Sequence, residues 1–212
     1  MKAANFCREL PQGYKDVYRI DAKSRKWSII FTVGSFIMAL AIILPCLLAV
    51  DFGGAGWSST DIYIAAAVLI VSIVVYIIAH ELTHGIAYKA LTGSKLTFGI
   101  SLTVAFCGVP DIYVNRKTAL IALLAPFTVF SVLFCALAAW LYFVNPVYYG
   151  VAIILLGLHF GGCIGDLFTA ILLIFKLKDG ALLMRDTGPE QTFYLPEAVS
   201  YTHLTLPTNS RV

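Results

Sequence analysis

The sequence predicts an all-α membrane protein of four transmembrane helices, with both termini cytoplasmic and a β-hairpin between the second and third helices. Three observations predict it: the composition, four long apolar segments, and the placement of the basic residues. Of the 212 residues, 59% are hydrophobic and only 13% charged, about half the roughly 25% charged share of a soluble domain. The mean hydropathy is +0.85. In a bilayer this length suits one compact helical bundle.

The elements follow in order. Residues 1–26 are polar and basic, lack the apolar core of a signal peptide, and read as a cytoplasmic N-terminal segment. Four apolar segments follow, at about 27–50, 62–91, 118–143 and 147–175. Each is long enough to cross a hydrocarbon core of about 30 Å at 1.5 Å per residue. Pro45 and Pro126 interrupt two of them, which membrane helices tolerate where neighbours satisfy the freed backbone groups. Residues 176–198 read as a cytoplasmic tail. Residues 199–212, "VSYTHLTLPTNSRV", read as a translated sequencing adapter and are set aside from the fold.

Seven of the 15 lysines and arginines lie in 1–26, four lie between Lys89 and Lys117, and four follow residue 175. The links "DFGGAGWSSTD" and "VNPVYY" carry none. Four spans with both ends inside place every positive charge on one side, as expected of a multi-pass protein of the cell membrane. The net charge of +3 is too small to argue for a nucleic-acid partner. Cys7, Cys46, Cys107, Cys135 and Cys163 are scattered, odd in number and without a C-x-x-C pair, so they form neither a disulfide framework nor a thiolate zinc site.

The second inner connection changes period. "TFGISLTVAF" alternates apolar and small or polar residues from Thr97 to Ala105 and Phe106, the period of a strand. "CGVPD" then reads as a turn and "IYVNR" as a return strand. An open strand edge there offers pairing to an extended peptide.

The chemistry lies in "VVYIIAHELTHGIAYKAL". "HELTH" fits H-E-x-x-H, and on a helix its two histidines lie on one face, one turn apart. His80 and His84 are then candidate ligands of one zinc ion, and Glu81 is the candidate catalytic group acting on the water. Glu81 and Asp166 are the only acids well inside the apolar segments, where ionisable groups are functional and paired. A catalytic zinc needs a third protein ligand. Asp166 is the best candidate: His80 lies nineteen positions after Asp61, and Asp166 nineteen after Val147. On two helices running the same way, both groups reach about 28 Å. The stretch "GLHFGGCIGD", with four glycines, allows close helix contact or a local break. His159 is the rival ligand. It stands about 10 Å from Asp166 along an intact helix, and is alternatively a satisfied polar core residue, a partner behind a ligand, or a proton relay.

"HELTHGIAYKALTG", "LLAPF" and "HFGGCIGDLF", in this order, resemble the bacterial family of small membrane proteins known as putative zincin peptidases, and "LPQGYKDVYRID" and "MRDTGPEQTFYLPE" are similar to its flanks. That family is in turn similar to the site-2 class of intramembrane metalloproteases. The resemblance implies one Zn²⁺ on His80 and His84, catalysis by Glu81, an aspartate ligand from the last helix, here Asp166, and an alanine-proline element, here Ala125 and Pro126. Site-2 proteases carry their aspartate in N-P-D-G or L-D-G; this chain has "CIGDLF". The expected protein is thus a zinc metalloendopeptidase domain at 27–175, cleaving membrane-associated protein or peptide substrates near the cytosolic face. The competing expectations are a zinc-dependent membrane sensor or scaffold without hydrolytic activity, which would tolerate Glu81→Gln, and a metal transporter, for which the outer halves of the segments show almost no polar path.

Overall fold

A computed structural model describes residues 5–50, 58–100 and 105–197. The segment read as adapter lies outside the described residues. The chain is mostly helical. Helix α1 spans Arg25–Leu48, α2 Ser59–Thr92, α3 Arg116–Val144, α4 Pro146–Gly162 and α5 Ile164–Ile171, the last running into a π-helical turn at Leu172–Lys176. Among the described residues three helices are long and apolar enough to cross a membrane, and α4 with α5 makes a fourth if the pair, bent by 42° at Cys163, counts as one span. Pro45 and Pro126 sit inside α1 and α3 without ending them. The outward faces are apolar: Phe36, Ile70, Val71, Val132 and Phe143 are each more than 60% exposed. A face of that kind suits hydrocarbon rather than water.

Local signals set the limits of α2. Ser58 and Asp61 form a reciprocal capping box, with the Ser58 Oγ accepting from the Asp61 N–H and the Asp61 carboxylate accepting from the Ser58 N–H. Gly93, at φ 68°, ends the helix in the left-handed conformation. Its 34 residues measure about 51 Å at 1.5 Å each, more than a bilayer core needs. The surplus turns reach past the bundle, where Tyr88 is buried against Val114, Met184, Phe193 and Leu195.

Those residues belong to a five-stranded antiparallel sheet that corrects the all-α expectation. Strands β1 (Phe6–Cys7) and β2 (Tyr14–Asp21) come from the N-terminal segment, β5 (Tyr113–Asn115) from the α2–α3 connection, and β6 (Leu183–Asp186) and β7 (Glu190–Pro196) from the tail. Their order is β1-β5-β6-β7-β2, with Val114 opposite Met184 and Phe193 opposite both Met184 and Tyr18. Apart from the β6–β7 hairpin, the strands pair with partners distant in sequence, and β1, β5 and β6 have four residues or fewer, so no local period announces the sheet. The sheet gathers the three basic segments at one end of the helices.

A hairpin does form between α2 and α3, but from different halves. Strand β3 (Thr97–Ile100) pairs with β4 (Ala105–Gly108), Phe98 opposite Cys107. The expected single strand over "TFGISLTVAF" is therefore both arms of the hairpin. "CGVPD" leads not into a return strand but into β5 of the larger sheet. The alternation continues across a reversal, which is why period alone does not find it.

In the bundle, α1 and α4 approach closely. A Cβ on Gly161 would lie 2.6 Å from the Ser35 carbonyl oxygen, and one on Gly157 would lie 2.4 Å from Ile43. Ser35 Oγ donates to the Gly161 carbonyl at 2.7 Å. Small residues facing small residues let membrane helices meet at their backbones.

Candidate metal centre

His80 and His84 stand one turn apart on the buried face of α2, both 7% exposed, with ring centroids 4.9 Å apart. The bend at Cys163 turns the first residues of α5 toward them. Asp166 Oδ2 lies 3.4 Å from His80 Nε2 and 3.3 Å from His84 Nε2. One ligand atom from each residue lies within 4.8 Å of the others. Zinc bonds of about 2.0–2.1 Å at tetrahedral angles put two ligand atoms about 3.3–3.4 Å apart, so both measured separations suit a shared ion.

The donor set is also consistent with a cation. His84 Nδ1 meets the Ala122 carbonyl at 2.8 Å. A carbonyl only accepts, so Nδ1 carries a hydrogen, and in the neutral ring Nε2 then offers a lone pair on the side of the Asp166 carboxylate. Such a pair in a water-poor site is satisfied by a positive charge between the two atoms, either a ring proton or a shared metal ion. The sequence explains why that carbonyl is free. In an α-helix it would accept from the N–H four residues on, which is position 126, and Pro126 has no N–H. The "LLAPF" stretch thereby frees a backbone acceptor that orients a histidine on the neighbouring helix.

The cluster opens on a cavity of about 470 Å³ lined by His80, Glu81, His84 and Asp166, and beyond them by Ser28, Phe31, Thr32 and Ser35 of α1 and Ala105, Phe106 and Cys107 of β4. The Cys107 backbone N–H is directed at the Glu81 carboxylate. Asp186 lines the same cavity from the sheet side. Its Oδ2 accepts from the Tyr88 hydroxyl at 2.7 Å and its Oδ1 from the Gly188 N–H at 2.8 Å. Burial pushes its carboxyl up to about 6. Burial likewise pushes the Cys107 thiol up to about 12, which keeps it protonated and unreactive at neutral pH. All five cysteines are free.

Of the residues singled out in the sequence, His80, His84 and Asp166 come together, and Glu81 faces the same cavity. His159 does not join Asp166. The two bracket His80 on opposite sides, Asp166 at Nε2 and His159 behind Tyr76, whose hydroxyl lies 3.1 Å from His80 Nδ1 and 2.9 Å from His159 Nδ1. His80, His159 and Cys163 also form a group close enough to hold an ion, but the Tyr76 hydroxyl stands between the two imidazoles. Sequence reasoning missed Tyr76, the Ala122 carbonyl and Asp186. Only Tyr76 left a signal, as a polar ring one turn before His80 in an apolar helix.

Helices long and apolar enough to cross a membrane, and a His80–His84–Asp166 cluster able to hold a metal ion beside Glu81, are the features of a helical zincin. Residues 73–182, just over half the chain, match the family model described as "Putative zincin peptidase", and the chain belongs to that family. No curated protein and no solved structure matches it.

Proposed function

We propose that the protein is an intramembrane zinc metalloendopeptidase of the site-2 type, a multi-pass protein of the cell membrane that hydrolyses peptide bonds of membrane-associated substrates near the cytosolic face. The observation that carries this reading is the convergence of His80, His84 and Asp166 at tetrahedral spacing on a cavity that Glu81 also faces. The basic segments gathered by the sheet support a cytosolic placement of that end.

One Zn²⁺ held by His80, His84 and Asp166 would supply Lewis acidity toward the scissile carbonyl and the attacking water. Glu81 accepts the proton of that water as its oxygen bonds to the carbonyl carbon, then delivers it to the leaving nitrogen as the C–N bond breaks. Strand β4, paired with β3 on one edge, lines the cavity beside Glu81 and suits an unwound substrate segment added as a strand. Ser28, Thr32 and Ser35, polar positions on an otherwise apolar helix, offer hydrogen bonds to such a segment.

The test compares wild type with Glu81→Gln in metal content and in cleavage of membrane substrates. Zinc retained and cleavage reduced by at least 10²-fold is expected for loss of a general base. Equal cleavage would reject the peptidase reading. Zinc binding without cleavage in either protein would favour the sensor or scaffold.

A further inference from the structure

We propose that Tyr76 and His159 are positioning residues that fix the tautomer of His80, so that Nε2 is its metal-binding atom. This rests on the zinc site read above and extends it to two side chains that do not touch the ion.

The hydrogen bonds admit one consistent direction once His80 Nε2 is bare. Nδ1 must then carry the ring hydrogen, and the group 3.1 Å away is the Tyr76 oxygen, which accepts it. The Tyr76 O–H is left to donate, and the strong acceptor it meets is His159 Nδ1 at 2.9 Å, with the weakly bonding Cys163 thiol 3.6 Å from the same nitrogen. With Nδ1 accepting, His159 carries its hydrogen on Nε2, which faces Ser131 Oγ at 3.0 Å. The Phe127 carbonyl, one turn before Ser131 on α3, also faces this ring and only accepts. The chain runs from His80 through Tyr76 and His159 to α3, with the Cys163 thiol beside its middle link. His84 is set by one carbonyl of α3 directly, and His80 is set through two intervening side chains.

Burial makes the arrangement consequential. His159 is 0% exposed and Tyr76 8%, so water does not substitute for a missing partner. Phe127, Phe130, Phe134 and Phe160 surround the His159 ring. A polar ring placed there only for packing would be served as well by another aromatic. The two hydrogen bonds explain the imidazole, which presents an acceptor and a donor on opposite edges.

The test measures zinc affinity of the full chain in detergent by chelator competition, together with the visible spectrum of the Co²⁺ form. Tyr76→Phe keeps the ring and removes the hydroxyl. It should weaken zinc binding about 10- to 100-fold, the usual cost of removing a partner behind a metal ligand, and alter the Co²⁺ bands. His159→Leu should weaken binding in the same direction. His159→Gln, which keeps an acceptor for Tyr76 and a donor for Ser131, should restore it to within about 3-fold of wild type, well short of that range. Unchanged affinity in Tyr76→Phe overturns the proposal, as does equal weakening by His159→Leu and His159→Gln. The His159 pair decides the matter if Tyr76→Phe does not fold. Wild type binding zinc no better than His84→Ala is a different outcome, which overturns the metal site itself.

Discussion

Gly161 and Gly162 are adjacent, yet alanine should act oppositely at the two positions. At Gly161 an added Cβ would lie 2.6 Å from the Ser35 carbonyl oxygen, a backbone atom of α1, and 3.4 Å from the Ala39 Cβ. Ordinary contact begins near 3.4 Å, so α1 must move by about 0.8 Å. A gap of that size forfeits a quarter to a half of each contact's attraction, and overpacking of this kind costs about 1–3 kcal/mol. The Ser35–Gly161 hydrogen bond is strained as well, at about 1 kcal/mol. Alanine's better helix propensity returns up to about 1 kcal/mol. The net expectation is about 1–3 kcal/mol of destabilisation. At Gly162 the nearest atom to an added Cβ is the Tyr76 hydroxyl at 3.6 Å, an ordinary contact, so Gly162→Ala should be neutral or stabilising by up to about 1 kcal/mol. Reversible unfolding in mixed micelles checks both. Gly161→Ala within about 0.5 kcal/mol of wild type, the ordinary range for substitutions that disturb nothing, or equal losses at both positions, would refute the close-approach argument. Because α1 lines the cavity through Ser28, Thr32 and Ser35, Gly161→Ala should also lower activity.

Pro126→Ala should move two observables in opposite directions. The new N–H at 126 competes for the Ala122 carbonyl, so zinc affinity should fall about 10-fold, while the bundle gains up to about 3 kcal/mol from the helix-interior proline removed; chelator competition and unfolding on the same sample separate the two. Asp186 predicts a pH dependence of stability. Its carboxyl titrates at about 6 in the fold against about 3.9 unfolded, so the folded chain holds the proton more tightly. That contribution is fully present below about pH 4 and lost as pH rises through about 6, on the order of 3 kcal/mol in all. Tyr88 and Gly188 face the carboxylate, with His84 and Asp166 acting at longer range, so the comparison is made with Asp186→Asn, which should lack this component in metal-free protein. Parallel profiles for the two would show that Asp186 contributes none of it.

The helices were legible because each is written locally. Unbroken apolar runs longer than a bilayer core, the Ser58–Asp61 box and Gly93 suffice for α2 without reference to any other segment. His80 and His84 were legible for the same reason, since a spacing of four on a helix is a shared face. Asp166 was reached by counting along two parallel segments, an argument about depth that survives the bend at Cys163. That bend is also what made the distance argument for His159 incomplete. The 10 Å separation assumed an intact helix, whereas the break turns Asp166 to one edge of His80 and leaves His159 behind the other. The five-stranded sheet was not legible. Tyr18 meets Phe193 across the whole length of the bundle in sequence, and "YKDVYRID" carries a register shift between Asp16 and Tyr18 that blurs any period of two.

Which segments are apolar enough to span, and which two histidines share a face, can be read from the amino-acid order alone, because composition and helical period act over a few residues. The packing of the helices sets which atoms of those histidines point at Asp166, brings the carbonyl freed by Pro126 to His84, and stands Tyr76 and His159 behind His80. Those facts depend on hydrogen bonds between helices, and the direction of such a bond is fixed by where a neighbouring backbone lies.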